Sequence, residues 1–143
     1  GVRGIKLKDG QNVIALIPIS GEGTLVIATA NGYGKRTLYS EFPVKGRGGQ
    51  GVIAIQANDR NGEVIGAGLA NVGEDIMLIT GKGVLVRTPA AEISVIGRNT
   101  QGLRLIALKA GEQLIGLETI PEIIDIEDNA TLISSPESDE IVN

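Results

Sequence analysis

The sequence repeats itself about every 50 residues, and this repeat limits the fold more than any other feature. A shift of 101 places GVRGIKLKDGQNVIAL (1–16) on GLRLIALKAGEQLIGL (102–117). A shift of 51 needs no gap, and its matched pairs are Thr29/Thr80, Gly32/Gly83, Arg36/Arg87, Thr37/Thr88, Glu41/Glu92, Gly46/Gly97, Arg47/Arg98, Gln50/Gln101 and Gly51/Gly102. Residues 1–120 therefore hold about two and a third copies of one unit, with boundaries near 51 and 102.

Short β-branched runs alternate between apolar and polar residues and are separated by turn residues, which predicts four antiparallel strands in each unit. The predicted pairs are GVIAIQA (51–57) with EVIGAGLA (63–70), DIMLIT (75–80) with VLVRT (84–88), and TLVIATA (24–30) with YGKRTLY (33–39). Asn31 and Gly32 both tolerate positive φ and so predict a hairpin. Four strands in such a unit are typical of a propeller-like blade, and closed rings have 4 to 8 blades. We therefore expect an all-β fold whose ring is incomplete.

Charge is distributed unevenly between the repeats and the C-terminal end. Residues 1–117 contain all 13 Lys and Arg but only nine acids, whereas residues 118–143 contain eight acids and no cation. The last segment, residues 121–143, also breaks the repeat, and we expect it to be a largely disordered acidic tail. Two interpretations remain open for this tail. It is either a solvated terminus or a segment that competes with an anionic ligand for the cations of the repeats.

The residue types that are missing exclude several kinds of site. The chain has no Cys and no His, so it lacks a disulfide framework, a thiolate metal site and the usual general base. We expect no catalytic residue, metal or cofactor in it. No apolar run reaches the roughly 20 residues of a membrane helix. The start has neither Met nor a signal-peptide pattern, which suggests a piece of a longer chain.

The stretch VKGRGGQGV (44–52) contains the spacing G-x-G-x-x-G, which raises the possibility of a nucleotide-phosphate loop. A dinucleotide loop needs a helix after it, but GVIAIQA is predicted to be a strand, which disfavours a cofactor. A tight loop between strands explains glycines at positive φ. It does not explain why Arg47 and Arg98 stand at the same position of two units.

Repeated cations predict a belt of positive charge around the blades, with glycine N–H groups open to phosphate. A duplex DNA backbone fits such a belt, and the two tyrosines, Tyr33 and Tyr39, are too few for base stacking and are interpreted as packing or rim residues. A protein-binding propeller and an enzyme remain alternatives at this point. The predicted DNA-binding residues are Arg3, Lys35, Arg36, Lys45, Arg47, Gly48, Gly49, Gly51, Arg87, Arg98 and Arg104.

The glycine loop resembles the Q-[RK]-R-G-G-[RK]-G box of the C-terminal domain of the bacterial DNA gyrase A protein. Residues 47–49 and Gly51 match the box, whereas Lys45, Gly46 and Gln50 depart from it. The stretches NGYGKRT (31–37) and RTPAAEISVIGRNTQG (87–102) resemble the last blades of that domain. In the second loop only Arg98 and Gly102 match the box.

The resemblance implies a β-pinwheel, a disc of blades that exchange strands, which wraps duplex DNA. It implies an accessory role in negative supercoiling by an ATP-dependent type II topoisomerase, with the rest of the gyrase A protein and the gyrase B protein as partners. It also implies a bacterial cytoplasmic location near the nucleoid, no membrane, and catalytic groups elsewhere in the enzyme. The alternatives are the blades of the equivalent topoisomerase IV protein and a blade array with a protein-binding or purely structural role.

Overall fold

The computed structural model describes residues 1–122, which form seven strands in two antiparallel sheets. The strands are β1 (Thr24–Thr29), β2 (Tyr33–Leu38), β3 (Val64–Ala70), β4 (Asp75–Thr80), β5 (Leu85–Pro89), β6 (Leu103–Arg104) and β7 (Leu114–Ile120). Two single 3₁₀ turns, Tyr39–Glu41 and Ala90–Glu92, follow β2 and β5 at equivalent positions of the repeat. The predicted all-β blade architecture is confirmed.

Two hairpins form where the sequence predicts them, β1 with β2 and β4 with β5. In the first turn Gly32 has positive φ, at 89°, whereas Asn31 does not. All described residues with positive φ are glycines. The N–H of Gly32 donates to the carbonyl of Thr29 at 3.1 Å. A Cβ at this position would lie 2.6 Å from the carbonyl oxygen of Ile106, so the turn requires glycine for space as well as for conformation.

The blades exchange strands with their neighbours in sequence. The first sheet has the order β3-β1-β2-β6 and takes strands from all three units, and the second sheet has the order β5-β4-β7. β3 and β7 each pair with the inner strand of the unit before them. Both pairings contain a bulge at the same position of the repeat, between Ala28 and Thr29 and between Ile79 and Thr80. The units that repeat in sequence thus also pair their strands in the same register, including the bulge.

The predicted pairing of residues 51–57 with residues 63–70 is wrong. Residues 51–57 form no strand, and β3 pairs with β1 instead. The equivalent segment of the third unit contributes the two-residue strand β6, which uses the free edge of β2 in the first unit. By the same pattern residues 51–57 would pair with a strand two units back, whereas residues 1–50 hold only one unit.

The core lies between the two sheets, where β3 faces β7. Its buried residues are Val26, Ala28, Ala70, Ile76, Leu78, Ala90, Ile93, Leu114 and Leu117. Gly66 and Gly68 let β7 pack closely on β3, because a Cβ at Gly68 would lie 2.9 Å from Thr119 Cγ2. This aliphatic core holds the connecting loops of the two blades at fixed positions.

Residues 1–22 contain no strand, and their apolar side chains are mostly exposed. In the repeat, residues 13–19 are equivalent to β3 and β7, each of which covers an inner strand of the preceding unit. Across residues 1–122, no helix is long and apolar enough to cross a membrane. The predicted acidic tail lies beyond the described residues from position 123 onward.

Candidate nucleic-acid interface

The glycine loop, residues 44–51, lies against residues 4–6 near the start of the chain. The N–H of Lys6 donates to the carbonyl of Gly49 at 2.7 Å, and the N–H of Gly48 donates to the carbonyl of Gly4 at 2.9 Å. Gly48 and Gly51 have positive φ, at 80° and 82°. The sequence predicts that the N–H of Gly48 is open to phosphate. In the structure this N–H already donates to Gly4, so it is not available to a ligand.

The cations of the glycine loop point into open surroundings. Lys45 and Arg47 are exposed, and both line a cavity of about 470 Å³ together with Gly4 and Ile5. Arg3 is also exposed, and its carbonyl lies beside Gly48. No helix follows Gly51 in the part of the chain described, so the arrangement that a dinucleotide loop needs is not built here.

The second loop, residues 97–102, closes around the ammonium group of Lys35. Lys35 Nζ donates to the carbonyls of Gly97 at 2.8 Å, Arg98 at 2.6 Å and Thr100 at 3.2 Å, and to Thr100 Oγ1 at 2.9 Å. The side chain is fully buried. The prediction of a phosphate contact for Lys35 does not fit this burial, because the ammonium is enclosed by protein acceptors.

Burial lowers the pKa of Lys35 to about 8, since desolvation disfavours the charged form. The carboxylate of Glu41 acts in the opposite direction, and the guanidinium of Arg98 adds to the lowering. A lysine in this setting is a structural group that holds a loop. In the second blade its equivalent is Val86, which has no ammonium to offer.

Strand β2 also fixes the chain that precedes the second loop. Thr37 Oγ1 donates to the carbonyl of Ile96 at 3.0 Å, two residues along the strand from Lys35. Arg36 Nε donates to the carbonyl of Ile93 at 2.8 Å, and its backbone bonds with Ser94 and Ile96. Arg36 is half-buried, so it anchors the next unit and offers only part of its surface to a ligand.

Two more of the predicted cations are engaged with protein groups. Arg87 Nε lies 2.5 Å from Asp75 Oδ2, which makes an ion pair across the β4–β5 hairpin. The guanidinium of Arg98 donates to the carbonyl of Ile53 at 2.7 Å, and its backbone N–H donates to Glu41 Oε1 at 3.4 Å. Arg98 is half-buried, unlike its counterpart in the glycine loop.

A third cationic group assembles around Tyr33, for which the sequence predicts only a packing or rim role. Arg104 Nη2 and Arg60 Nε donate to the Tyr33 hydroxyl oxygen at 3.1 Å and 3.3 Å. Their guanidinium carbons lie 5.6 Å and 4.8 Å from the ring centroid. Sequence reasoning missed Arg60. The one signal for it is the turn of the middle unit in GVIAIQANDRNGEVIGA (51–67), which is one residue longer than the equivalent turns in 1–16 and 102–117.

The structure thus sorts the predicted residues into three groups. Lys45 and Arg47 come together at the glycine loop, with the backbone of Arg3 beside it, and Arg104 joins Arg60 at Tyr33. Lys35, Arg36, Arg87 and Arg98 hold protein groups. Of all the cationic side-chain groups, only that of Arg87 lies within 4 Å of a carboxylate among residues 1–122. The remaining positive charge is not neutralised by ion pairs within the described fold.

Sequence comparison identifies relatives over nearly all of the repeat region. The family described as the DNA gyrase C-terminal domain, a β-propeller, matches residues 1–20, 23–71 and 74–121. The DNA gyrase A protein of Escherichia coli is 47% identical over 135 residues, and that of Pseudomonas aeruginosa is 53% identical over 123 residues. These alignments cover 94% and 85% of the chain. The chain spans only 15% and 13% of the length of these relatives.

Solved structures share the fold. A DNA gyrase A C-terminal domain superposes with a TM-score of 0.78 at 26% identity, covering 85% of the chain and 41% of that domain. The C-terminal domain of a DNA topoisomerase IV superposes with a TM-score of 0.79 at 21% identity, covering 93% of the chain and 42% of that domain. The fold alone does not separate the two kinds of topoisomerase.

Proposed function

The chain belongs to the DNA gyrase C-terminal domain family, and from that premise we propose that its blades bind duplex DNA without reading its sequence. The observation that carries the proposal is the state of the cations. Residues 1–117 have a net charge of +4, and in the described fold only Arg87 makes an ion pair. Cations held at a surface without acidic partners are suited to a phosphate backbone.

The contacts are assigned to the cations that the fold leaves exposed. Arg3, Lys45 and Arg47 at the glycine loop and Arg104 beside Tyr33 bind phosphate, together with the N–H groups of Gly49 and Gly51. Arg36 and Arg98 contribute their charge to the field while holding protein groups, whereas the charge of Arg87 is offset by its ion pair with Asp75. Each exposed cation adds about 1 kcal/mol or less, and the effect weakens with salt.

DNA bound along the blades serves the whole enzyme. We assign the chain to a gyrase A protein that works with a gyrase B protein in a bacterial type II topoisomerase, in the cytoplasm beside the nucleoid. Bending DNA around the blades gives the crossing from which negative supercoiling starts. We assign no catalytic group and no cofactor site to the blades themselves, since neither His nor Cys is available in the sequence.

Topoisomerase IV is the second candidate, and its C-terminal domain has an equally similar fold. Sequence favours gyrase, because curated gyrase A relatives reach 53% identity, and among the solved structures the gyrase A domain is 26% identical against 21% for the topoisomerase IV domain. The discriminating assay uses the full-length protein that contains these blades, reconstituted with its ATPase partner on relaxed plasmid. Net negative supercoiling supports gyrase, and relaxation or decatenation without net supercoiling supports topoisomerase IV.

DNA binding itself is tested by fluorescence anisotropy with a labelled duplex of about 40 base pairs, at about 20 to 200 mM salt. We expect affinity that falls steeply with salt and is equal for two duplexes of unrelated sequence. A blade array with a protein-binding or purely structural role predicts no salt-dependent binding at any concentration of duplex.

A further inference from the structure

Three segments that are far apart in sequence converge on Tyr33. Tyr33 is the first residue of β2, Arg104 is the last residue of β6, and the two are paired in register. Arg60 lies in the turn before β3. Each of the three segments belongs to a different unit of the repeat, so this group of side chains exists only when the blades are assembled.

The backbone around Arg60 is held firmly, which places its guanidinium without help from a ligand. Asn58 and Asn61 exchange hydrogen bonds between backbone N–H and side-chain oxygen at 2.7 Å and 3.0 Å. Asn61 is fully buried. Asn31 Nδ2 donates to the carbonyls of Asp59 and Arg60 at 3.2 Å and 3.1 Å. The turn is therefore preorganised.

Two guanidinium groups meet here without a carboxylate. Neither Arg60 nor Arg104 lies within 4 Å of an acidic oxygen in the described chain, and both donate to one neutral hydroxyl oxygen. Both arginines are exposed, whereas Tyr33 is largely buried. Each guanidinium has five N–H donors, so a single bond to Tyr33 leaves donors for a ligand.

The two guanidinium groups place positive charge over the Tyr33 ring and at its hydroxyl. The hydrogen bonds from Arg104 and then from Arg60 lower the pKa of the Tyr33 hydroxyl, because both cations favour the phenolate. Burial acts the other way and is outweighed. Two like charges that share only a neutral acceptor are stabilised when an anion joins them.

We propose that the Arg60–Tyr33–Arg104 cluster is a phosphodiester-binding subsite of the DNA surface, in which both guanidinium groups contact the backbone and Tyr33 positions them. This inference rests on the proposed function and extends it to a residue, Arg60, outside the repeated belt. The planar guanidinium fork matches the oxygens of a phosphate, which makes a phosphodiester a better ligand than a single carboxylate. Tyr33 acts as a positioning residue.

The first test compares two double variants with the same loss of charge. Arg60→Gln/Arg104→Gln is expected to weaken duplex binding about 3- to 10-fold at about 100 mM salt and to lower the salt slope by up to about 1.8, the value for two lost phosphate contacts. Lys82→Gln/Lys109→Gln removes two exposed cations elsewhere and controls for net charge. Equal effects of the two pairs would overturn the subsite.

The second test measures the ionisation of the Tyr33 hydroxyl directly. If the cluster had only a structural role, ligand binding would leave the pKa of Tyr33 unchanged. The chain has only two tyrosines, so ¹³Cζ-tyrosine labelling gives two NMR signals. Burial raises the pKa of Tyr39, so it titrates above Tyr33 and serves as the internal control. Inorganic polyphosphate, which does not titrate with the bases of DNA, is expected to raise the pKa of Tyr33 and to leave Tyr39 unchanged.

The outcomes separate this inference from the proposed function. If the duplex binds with the expected salt slope but polyphosphate leaves Tyr33 unmoved, DNA binding stands and the subsite is overturned. If the chain fails to bind duplex while polyphosphate still moves Tyr33, the subsite is an anion site and the DNA-binding proposal fails. If both are absent, both proposals are rejected.

Discussion

The two loops at equivalent positions of the repeat are built differently, although they share an arginine three residues before a Gln-Gly pair. The second loop encloses the Lys35 ammonium, and its Arg98 donates to Ile53. The glycine loop encloses no cation within the described residues, and its Arg47 is exposed beside a cavity. One loop is fixed by a buried charge, and the other presents charge outward.

The difference shows that a repeated arginine need not have a repeated role. What decides the role is the strand of the preceding unit that lies beneath the loop. β2 provides Tyr33, Lys35 and Thr37 on one face, and all three contact the segment from Ile96 to Arg104. Residues 1–43 belong to the same unit as the glycine loop, and within the described residues they place no strand face beneath it. A buried lysine thus holds the second loop.

The largest expected effect is on stability and comes from Lys35. Lys35→Met removes the donor to three loop carbonyls, and we expect the free energy of unfolding to fall by about 2 to 4 kcal/mol, because buried acceptors without partners are costly. Urea denaturation measures this. Lys82→Met, at an exposed turn position, is the matched control and should change stability by less than about 0.5 kcal/mol. Equal stability of the two variants would mean that the loop does not depend on Lys35.

The titration of Lys35 gives a second effect on stability. The pKa of Lys35 is about 8 in the folded chain and 10.5 ordinarily. Between pH 8 and pH 10.5 the unfolded chain therefore binds more protons than the folded chain does. Stability therefore rises with pH across this range through Lys35, because the cost of burying its charge is relieved. The difference in free energy of unfolding between wild type and Lys35→Met should grow in favour of wild type from pH 8 to 10. A difference independent of pH would contradict the burial of a titrating ammonium.

Most of the fold follows from the sequence, whereas the pairing of the outer strands does not. Hairpins β1–β2 and β4–β5 are predictable because their turns are local and their strands alternate. The exchange of β3 onto β1 is not, because residues 51–57 have the composition of a strand and only the assembled blades decide which edge is free. A partner choice of this kind is a property of tertiary structure.

The candidate site was predictable in charge but not in geometry. Arg47 and Arg98 are equal in sequence, and nothing near them indicates that one is exposed and the other held. The role of Lys35 depends on residues more than 60 positions away, which alternation along β2 does not reveal. The same holds for Arg60, whose partner Tyr33 is 27 positions distant.

Deleting part of the acidic tail is expected to have a smaller effect on duplex affinity, and this effect should depend on Arg47 but not on Arg98. Removing residues 123–143 deletes six acids and no cation, and we expect duplex binding to tighten about 3-fold at low salt if the tail competes for the exposed cations. Anisotropy at about 20 mM salt measures it. The gain should shrink when Arg47 is replaced by Gln and persist when Arg98 is replaced. Unchanged affinity after the deletion would reject competition by the tail.

The most direct test of the division between an open and a closed loop is the salt slope of duplex binding for Arg47→Gln beside Arg98→Gln, on one duplex of about 40 base pairs. We expect Arg47→Gln to lower the slope by about 0.9, the value for one lost phosphate contact, and Arg98→Gln to leave it nearly unchanged. Equal slopes for the two variants would contradict that division. A wild-type chain that binds no duplex at low salt would contradict the proposed function itself.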